Sequence, residues 1–224
     1  MINVAIDGPS GSGKSTVADI ISARLNILHL DTGAMYRACG LKAKILGVNC
    51  KDEAAVSAFI GDINLKIIYE NGVQHTILDG ADVSKEIRMN DISRLASDIS
   101  ALNCVRKKMV EMQRAVAAEN PCVLDGRDIC LHVLPFAKYK FFMTASAEVR
   151  AERRVKELLE RGQNADFNVI LAEINQRDYN DSHREFSPLK QDPAATLIDT
   201  TNLTRDEVAD VIEKQIRAGE KING

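Results

Sequence analysis

The sequence predicts an α/β fold in which a parallel β-sheet carries helices on both faces. Five short apolar segments have the character of buried strands, and segments with helical periodicity lie between them. The first apolar segment also ends in a glycine-rich turn that opens a helix. At 224 residues the chain can bury its own core, as one domain or as one core with a sizeable insertion.

The first quarter of the chain alternates strand, helix, strand and helix. Residues 2–6 are continuously apolar, as in a strand buried on both faces, and residues 27–30 form a second short apolar run. Residues 15–25 carry apolar side chains at the spacing of an amphipathic helix. A second helix is predicted over residues 33–46, where Gly47 provides a C-terminal cap.

A small antiparallel hairpin is predicted to interrupt this α/β pattern. A short helix with an aspartate N-cap precedes it over residues 52–60. Residues 65–69 and 74–78 then have strand character, and the Asn-Gly pair between them favours a type I′ turn. This segment therefore reads as an insertion in the larger fold.

The second half returns to alternating strands and helices. Residues 90–118 are rich in helical pattern. Ser146 and Asp166 are suitable N-caps, and Gly162 is a suitable helix end. Strands are expected at residues 121–125, 139–144 and 196–199, and helices at residues 146–161, 166–182 and 205–218.

Composition argues against several classes of protein. A hydrophobic fraction of 45% with 27% charged residues is typical of soluble domains, and a net charge of −3 does not predict binding to nucleic acid or membrane. With 4% aromatic residues and no Trp, a base-stacking platform is not expected. No apolar stretch reaches about 18 residues and no signal peptide is visible, so we expect a cytoplasmic protein. A monomer is expected because no large apolar stripe is left over.

The five cysteines do not suggest a metal site or a disulfide framework. Their number is odd, and none belongs to a C-x-x-C pair. In a cytoplasmic chain the simplest expectation is free, mostly buried thiols.

A phosphate-binding motif follows the first strand. Residues 8–15 match G-x-x-x-x-G-K-[S/T], and they lie between a predicted strand and a helix, as the motif requires. Backbone N–H groups of such a P-loop cradle phosphates, Lys14 reaches the β- and γ-phosphates, and the Ser15 hydroxyl holds Mg²⁺. The alternative is a glycine-rich turn that binds nothing. The predicted ATP-binding residues are Gly8, Pro9, Ser10, Gly11, Ser12, Gly13, Lys14, Ser15 and Thr16.

The motif predicts a three-layer P-loop NTPase fold but not a reaction, because GTPases, ATPases and kinases share it. Residues that could bind an acceptor follow two later strands. Arg37 lies one turn into the helix after the second strand and could grip an anion; otherwise it is a surface arginine near a helix cap. In the D-G-R-D segment, Asp125 could serve Mg²⁺ while Arg127 and Asp128 face the acceptor; otherwise the segment is an ordinary turn.

Two arginine groups complete the candidate site. Arg150, Arg153 and Arg154 share a helix face and could close over a γ-phosphate, although pairing with Glu157 would make them a solvated surface. A second group of polar residues, spaced i, i+4 and i+7, is predicted to share one face of the following helix. The alternative to a binding role for this group is an intrahelical Arg–Asp ion pair. Its members are Arg177, Asp181 and Arg184.

Taken together, these motifs resemble bacterial cytidylate kinases over essentially the whole chain. The P-loop is widespread, whereas D-T-G-A-M-Y-R and D-G-R-D in this order are much more specific. The segments that carry the resemblance are residues 6–16, 30–37, 82–88, 125–128, 150–154 and 173–178, continuing to Asp181 and Arg184. The resemblance implies ATP-dependent, Mg²⁺-assisted phosphorylation of CMP and dCMP to the diphosphates.

The resemblance also implies individual roles. It assigns the cytosine edge to Ser97, Arg106 and Asp128, and the monophosphate to Arg37, Arg127 and Arg184. The sugar falls to Arg177 and Asp181, and Thr32 joins the substrate-binding set. Lys14, Arg150, Arg154 and Asp125 form the catalytic set, with Ser15 and Asp125 at the metal. No side-chain nucleophile is expected, since the CMP phosphate is itself the acceptor.

The implied layout is a single nucleoside monophosphate kinase domain. Its core comprises residues 1–31, 119–149 and 183–224, the enlarged monophosphate-binding region comprises 32–118, and a short lid with flanking helices comprises 150–182. Ser97 and Arg106 are nine residues apart, about 180° around an unbroken helix, so they converge only if the helix breaks. We therefore predict a break near Leu102, with Asn103 capping the second piece.

Two other functions remain open. One is another small-molecule P-loop kinase, such as a relative of shikimate or adenylate kinase. The other is a non-enzymatic P-loop switch protein, which would need no second anion site.

Overall fold

The computed structural model describes residues 1–160 and 162–221. Its strands are β1 (Asn3–Asp7), β2 (Leu28–Asp31), β3 (Leu65–Glu70), β4 (Val73–Leu78), β5 (Ala81–Asp82), β6 (Cys122–Gly126), β7 (Tyr139–Thr144) and β8 (Thr196–Asp199). Its helices are α1 (Lys14–Leu25), α2 (Thr32–Leu46), α3 (Glu53–Ile60), α4 (Asn90–Ile99), α5 (Asn103–Glu119), α6 (Ala147–Glu160), α7 (Phe167–His183) and α8 (Arg205–Lys221). A 3₁₀ turn covers Glu86–Arg88, and a π-helical turn covers Ile129–Val133.

The larger sheet has five strands in the order β2-β6-β1-β7-β8. β1 pairs in parallel with β7, and β7 pairs in parallel with β8. The predicted α/β fold with a five-stranded parallel sheet is confirmed. The chain divides into two compact units, a first unit of Met1–Ile27 with Val123–Gly224 and a second unit of Leu28–Cys122.

The core of the first unit lies between its strands and two of its helices. Ile6 of β1 and Phe141 of β7 are fully buried, and they pack in one apolar cluster with Ile21 of α1 and Ile212 of α8. Burial of each such side chain contributes about 1.5–3 kcal/mol relative to exposure. This packing makes β1 a rigid base for the loop that follows it.

Helices α6 and α7 begin as predicted. The Ser146 hydroxyl accepts the Val149 N–H at the start of α6, and the Asp166 carboxylate accepts the Val169 N–H at the start of α7. Arg161, the predicted last residue of α6, lies outside the described residues. Gly162 has φ 71° and donates its N–H to the carbonyl of Leu159, as expected of a helix-ending glycine.

The second unit contains the predicted hairpin. β3 and β4 pair antiparallel, and the turn residues Asn71 and Gly72 have φ values of 52° and 78°, which confirms the turn prediction. The two-residue strand β5 extends this sheet to three strands and was not predicted. The predicted caps of α2 and α3 are also present, because Gly47 ends α2 at φ 68° and Asp52 accepts the Ala55 N–H.

The predicted helix break is confirmed, but its predicted cap is wrong. α4 ends at Ile99 and α5 begins at Asn103. Asn103 is already helical, and its side chain makes no cap hydrogen bond. Glu53 of α3 instead accepts the Cys104 N–H at 3.0 Å, so a distant carboxylate satisfies an N–H group that a local cap would otherwise take.

Within the described residues, no helix combines the length and the apolar character needed to cross a membrane. The cysteines are free as predicted: Cys104 is half-buried, and Cys39, Cys50, Cys122 and Cys130 are buried.

Candidate active site

The phosphate-binding loop connects β1 to α1. Gly8 has φ 148°, and a Cβ at this position would overlap the carbonyl oxygen of Met143 on β7. Only glycine fits at this close approach. Gly13 has φ 90° and serves as the N-cap of α1, so the loop ends at a helix N-terminus, where anions bind favourably.

Lys14 is buried inside this loop. Its Nζ donates to the Pro9 carbonyl at 2.7 Å and to the Ser12 hydroxyl at 3.3 Å. Burial, followed by the positive charge of Arg127, lowers the pKa of Lys14 well below its usual value, although Asp125 acts in the opposite direction. Burial and the neighbouring positive charge thus outweigh the nearby carboxylates, and an anion such as a phosphate would stabilise the charged lysine.

Ser15 and Asp125 form an oxygen-rich pair beside the loop. The Ser15 hydroxyl donates to Asp125 Oδ2 at 2.7 Å, and Asp125 is buried at the end of β6. A hydroxyl and a carboxylate are hard oxygen ligands of the kind that Mg²⁺ takes together with phosphate and water oxygens. The chemistry of this donor set fits the predicted metal site.

Arginines surround the carboxylate of Asp181. Arg127 donates from Nε to Asp181 Oδ2 at 2.9 Å, and Arg184 Nη1 lies 3.8 Å from Asp181 Oδ1. Burial of Asp181 raises its pKa, but the charges of Arg127, Arg177 and Arg184 outweigh that effect and hold the pKa below its usual value. The group is thus brought together within the first unit.

The expectation that Arg184 shares a helix face with Arg177 and Asp181 needs a correction at the helix end, because Arg184 lies just beyond the last helical residue. α7 ends at His183, and Arg184 has an extended backbone with φ −63° and ψ 144°. The chain then folds back, so that the Leu189 N–H donates to the Asp181 carbonyl. As the C-cap of α7, Arg184 still donates its N–H to the Asn180 carbonyl at 3.1 Å, and its side chain approaches Asp181 from the end of the helix.

Arg150 is buried against the phosphate-binding loop. Its guanidinium donates to the Ala145 carbonyl at 2.9 Å, the Ser10 carbonyl at 3.0 Å and Asp178 Oδ2 at 2.6 Å. Gly11 packs closely against the same side chain. In this structure Arg150 supports the loop from α6, and Asp178 of α7 fixes its orientation.

Arg153 also braces the loop, through an intermediate residue. It donates to both the hydroxyl and the carbonyl oxygen of Thr200, at 3.1 and 2.6 Å. The Thr200 hydroxyl in turn donates to the Ser12 carbonyl at 3.2 Å. Arg154 instead donates to Glu157 at 2.8 Å in a half-exposed pair. This is the ion pair that was expected if this helix face were a solvated surface.

Asp128 is buried directly after β6, next to the π-helical turn that starts at Ile129. Cys130 lies inside this turn, and its thiol contacts the carbonyls of Ala5 and Phe141. Burial and the neighbouring Asp7 raise the pKa of the Cys130 thiol, which keeps it protonated and unreactive.

Two substrate-binding candidates of the second unit lie at the start of α2. Thr32 is buried as the first residue of α2. Arg37 donates from Nη2 to Asp31 Oδ2 at 2.7 Å, while Asp31 Oδ1 accepts the Ala34 N–H at 2.9 Å as the helix cap. The cap thus orients the guanidinium one turn along the helix.

Ser97 and Arg106 each contact Ser100, which lies in the helix break. The Ser100 hydroxyl donates to the Ser97 carbonyl at 3.0 Å, and Arg106 donates to the Ser100 carbonyl at 3.1 Å. Arg106 is 1% exposed, and its guanidinium carbon lies 5.4 Å from the centre of the Tyr36 ring. A buried cation with this support is suited to a polar ligand as well as to its helix-ending contact.

Three residues of the first unit were not assigned a role from sequence. Asp7 accepts two backbone N–H groups, Asp178 orients Arg150, and Thr200 connects Arg153 to the loop. Asp7 carried a signal, because it ends a buried strand just before the P-loop. Thr200 carried none, since Arg153 and Ser12, the two residues that it connects, are 47 and 188 residues away in sequence.

Comparison with known proteins identifies a family that this chain resembles over nearly its whole length. A sequence profile of the cytidylate kinase family matches residues 4–218. A cytidylate kinase from Clostridium botulinum is 47% identical over 94% of this chain and 95% of its own length. One from Lactobacillus johnsonii is 45% identical over 99% and 96%, and one from Caldicellulosiruptor bescii is 44% identical over 92% of each chain.

A solved structure supports the fold alone. The crystal structure of an uncharacterized protein from Eubacterium ventriosum aligns with a TM-score of 0.53 at 14% identity, covering 97% of this chain and 99% of its own.

Proposed function

We propose that this chain, which belongs to the cytidylate kinase family, transfers the γ-phosphoryl group of ATP to CMP or dCMP. The products are ADP and CDP or dCDP. The observation that carries the proposal is the clustering of cations in the first unit, where the half-buried Arg127 and Arg177 both act to lower the pKa of the buried Lys14. Such crowding is costly unless anions bind there, and a phosphoryl donor and a phosphate acceptor supply them.

The ATP-binding role falls to the loop between β1 and α1. Its backbone N–H groups and the N-terminus of α1 would hold the phosphate oxygens, while Lys14 would exchange its Pro9 contact for the β- and γ-phosphates. Ser15 and Asp125 would hold Mg²⁺, which neutralises phosphate charge when it is bound.

The resemblance to the family supports individual acceptor-binding roles. Arg37, Arg127 and Arg184 would hold the monophosphate, and Arg177 with Asp181 would contact the sugar. Thr32 would also bind the substrate. Ser97, Arg106 and Asp128 would read the base. Asp128 can accept from the N4 amino group of cytosine, whereas uracil presents a carbonyl oxygen there and would be repelled.

The catalytic role rests on charge neutralisation and alignment. Arg154 is available for it, since a half-exposed pair such as Arg154–Glu157 is worth at most about 1 kcal/mol and a phosphate can displace the glutamate. Arg150 contributes by fixing the Ser10 carbonyl of the loop, in addition to its proposed role near the transferred group. No protein nucleophile is needed, because an oxygen of the acceptor phosphate attacks directly.

An acceptor panel tests this proposal. ADP release from ATP and Mg²⁺ is measured with CMP, dCMP, UMP, AMP or shikimate, and we expect the highest kcat/KM with CMP and dCMP. A preference for AMP or shikimate would indicate another small-molecule kinase. CMP titrated calorimetrically should bind, whereas a P-loop switch protein would show no binding.

Substitution of the proposed catalytic groups tests the mechanism. Lys14→Met should lower kcat on the order of a hundredfold, since it removes a positive charge from the transferring group. Arg154→Ala should also lower kcat. Lys138→Met is the matched control, because Lys138 is half-exposed and pairs with Glu220. Unchanged CMP-dependent ADP release in Lys14→Met would refute the assignment.

A further inference from the structure

Asp7 is a fully buried carboxylate at the end of β1, and the proposed reaction does not use it directly. Its Oδ1 accepts the Ile129 N–H at 2.8 Å, and its Oδ2 accepts the Cys130 N–H at 2.7 Å. Each carboxylate oxygen thus binds one backbone N–H of the same π-helical turn. These N–H groups open the turn and would otherwise need another acceptor in a buried position.

The π-helical turn that Asp7 binds begins at Ile129, directly after Asp128. The carbonyl of Asp128 accepts the N–H groups of His132 and Val133, so its backbone is held on the carbonyl side by the turn itself. Asp7 holds the two peptide groups that come next. Between them, these contacts restrain the backbone from which the Asp128 side chain projects.

The pKa of Asp7 depends on its burial, on its hydrogen bonds and on the ionisable groups around it. Burial raises the pKa of Asp7 to about 6, the two backbone hydrogen bonds act to lower it, and the charge of Asp128 adds to the increase. The other ionisable groups near it are the Lys14 ammonium and the Cys130 thiol, which is protonated. The carboxylate therefore persists at neutral pH through its hydrogen bonds to the turn.

We propose that Asp7 is a positioning residue for base recognition. By holding the backbone N–H groups of Ile129 and Cys130, it orients Asp128 to accept a hydrogen bond from the cytosine amino group. This inference rests on the proposed CMP kinase function. Asp7 contacts no substrate in this role. It sets the ratio of kcat/KM for CMP to kcat/KM for UMP, because only CMP offers the amino group that a well-oriented Asp128 accepts.

The test is Asp7→Asn, which preserves shape but directs an amide NH₂ at one of the two backbone N–H groups. One buried, charge-assisted hydrogen bond is then lost and two donors face each other. We expect the CMP-to-UMP ratio of kcat/KM to fall at least tenfold, mainly through a higher KM for CMP. General destabilisation would lower activity with both acceptors and leave the ratio unchanged.

Two matched variants serve as controls. Cys130→Ala removes the thiol but keeps the N–H that Asp7 binds. Asp192→Asn removes another buried carboxylate, one that pairs with Lys140 at 2.7 Å and accepts the Ala194 N–H at 2.8 Å. Both controls should keep the ratio within about twofold of the natural chain. An unchanged ratio in Asp7→Asn, with the natural chain preferring CMP, would overturn the inference.

The natural chain alone decides the question if Asp7→Asn does not fold. CMP and UMP carry the same phosphate, so its titration cancels in the ratio. As the pH falls from 7.5 to 5.5 and Asp7 takes up a proton, the ratio should fall severalfold, and a constant ratio would overturn the inference. Failure of the proposed function looks different, because the natural chain would then not phosphorylate CMP at any pH.

Discussion

The cluster around Asp181 allows a quantitative prediction, because one buried carboxylate balances several guanidinium groups. In Asp181→Asn the shape is preserved but the negative charge is removed. Asp181 is 9% exposed at its side chain, and its partners Arg127 and Arg184 are 19% and 6% exposed. Without Asp181 these cations remain buried with much less compensation.

The magnitude follows from the burial of the pair. Removing one partner of a buried ion pair costs about 3–5 kcal/mol, whereas an exposed pair is worth at most about 1 kcal/mol. We take about 3 kcal/mol here because the amide oxygen of Asn can still accept one hydrogen bond from Arg127. For a chain of this size, that loss should lower the melting temperature by roughly 6–12 °C.

The assay is urea unfolding of the free protein, with Asp206→Asn as the control. Asp206 also pairs with an arginine, Arg24, at 3.5 Å, but it is 70% exposed, so its loss should cost less than about 0.5 kcal/mol. Because folding lowers the pKa of Asp181, its contribution is complete above the pKa of an unfolded carboxyl group and disappears as the pH falls through the lower, folded pKa. The deficit of Asp181→Asn should therefore shrink below about pH 4. Equal losses in Asp181→Asn and Asp206→Asn at pH 7 would refute the reasoning.

Two further predictions concern the glycine loop and the thiols. Gly8→Ala should weaken ATP binding more than tenfold in a calorimetric titration, because its Cβ overlaps the Met143 carbonyl; Gly47→Ala, which also has positive φ but meets no atom within 4 Å, should cost about 1 kcal/mol of stability and leave ATP affinity unchanged. In native protein, Cys104 should react first with a thiol reagent, since it is half-buried and the other cysteines are buried; persistence of the fast phase in Cys104→Ser would contradict this.

Local chemistry in the sequence was enough to predict most elements. Asp52 and Asp166 are separated by three residues from the N–H groups that they cap, and the Asn71-Gly72 turn is complete within two residues. Such features depend on near neighbours along the chain, so no knowledge of the tertiary structure is required. The P-loop could be predicted for the same reason, because its strand, turn and helix are contiguous in the sequence.

The errors have a common cause in contacts between distant parts of the chain. Asn103 has the side chain of a good cap, but Glu53 from another helix supplies the acceptor. The helix that carries Asp181 ends at His183, one residue before Arg184, and the Leu189 N–H then donates to the Asp181 carbonyl. The supporting roles of Asp178 and Thr200 were missed for the same reason, since neither has a local pattern that marks it.

The helix break shows how a functional hypothesis can predict structure where local propensity does not. Two residues assigned to one base could not meet across an unbroken helix, so the requirement for convergence placed a break before Asn103. The same hypothesis could not predict that Arg106 would bind the Ser100 carbonyl, because that acceptor exists only once the helix has ended. The break therefore creates the acceptor that holds Arg106, so the guanidinium that we propose for base recognition also contacts the end of α4.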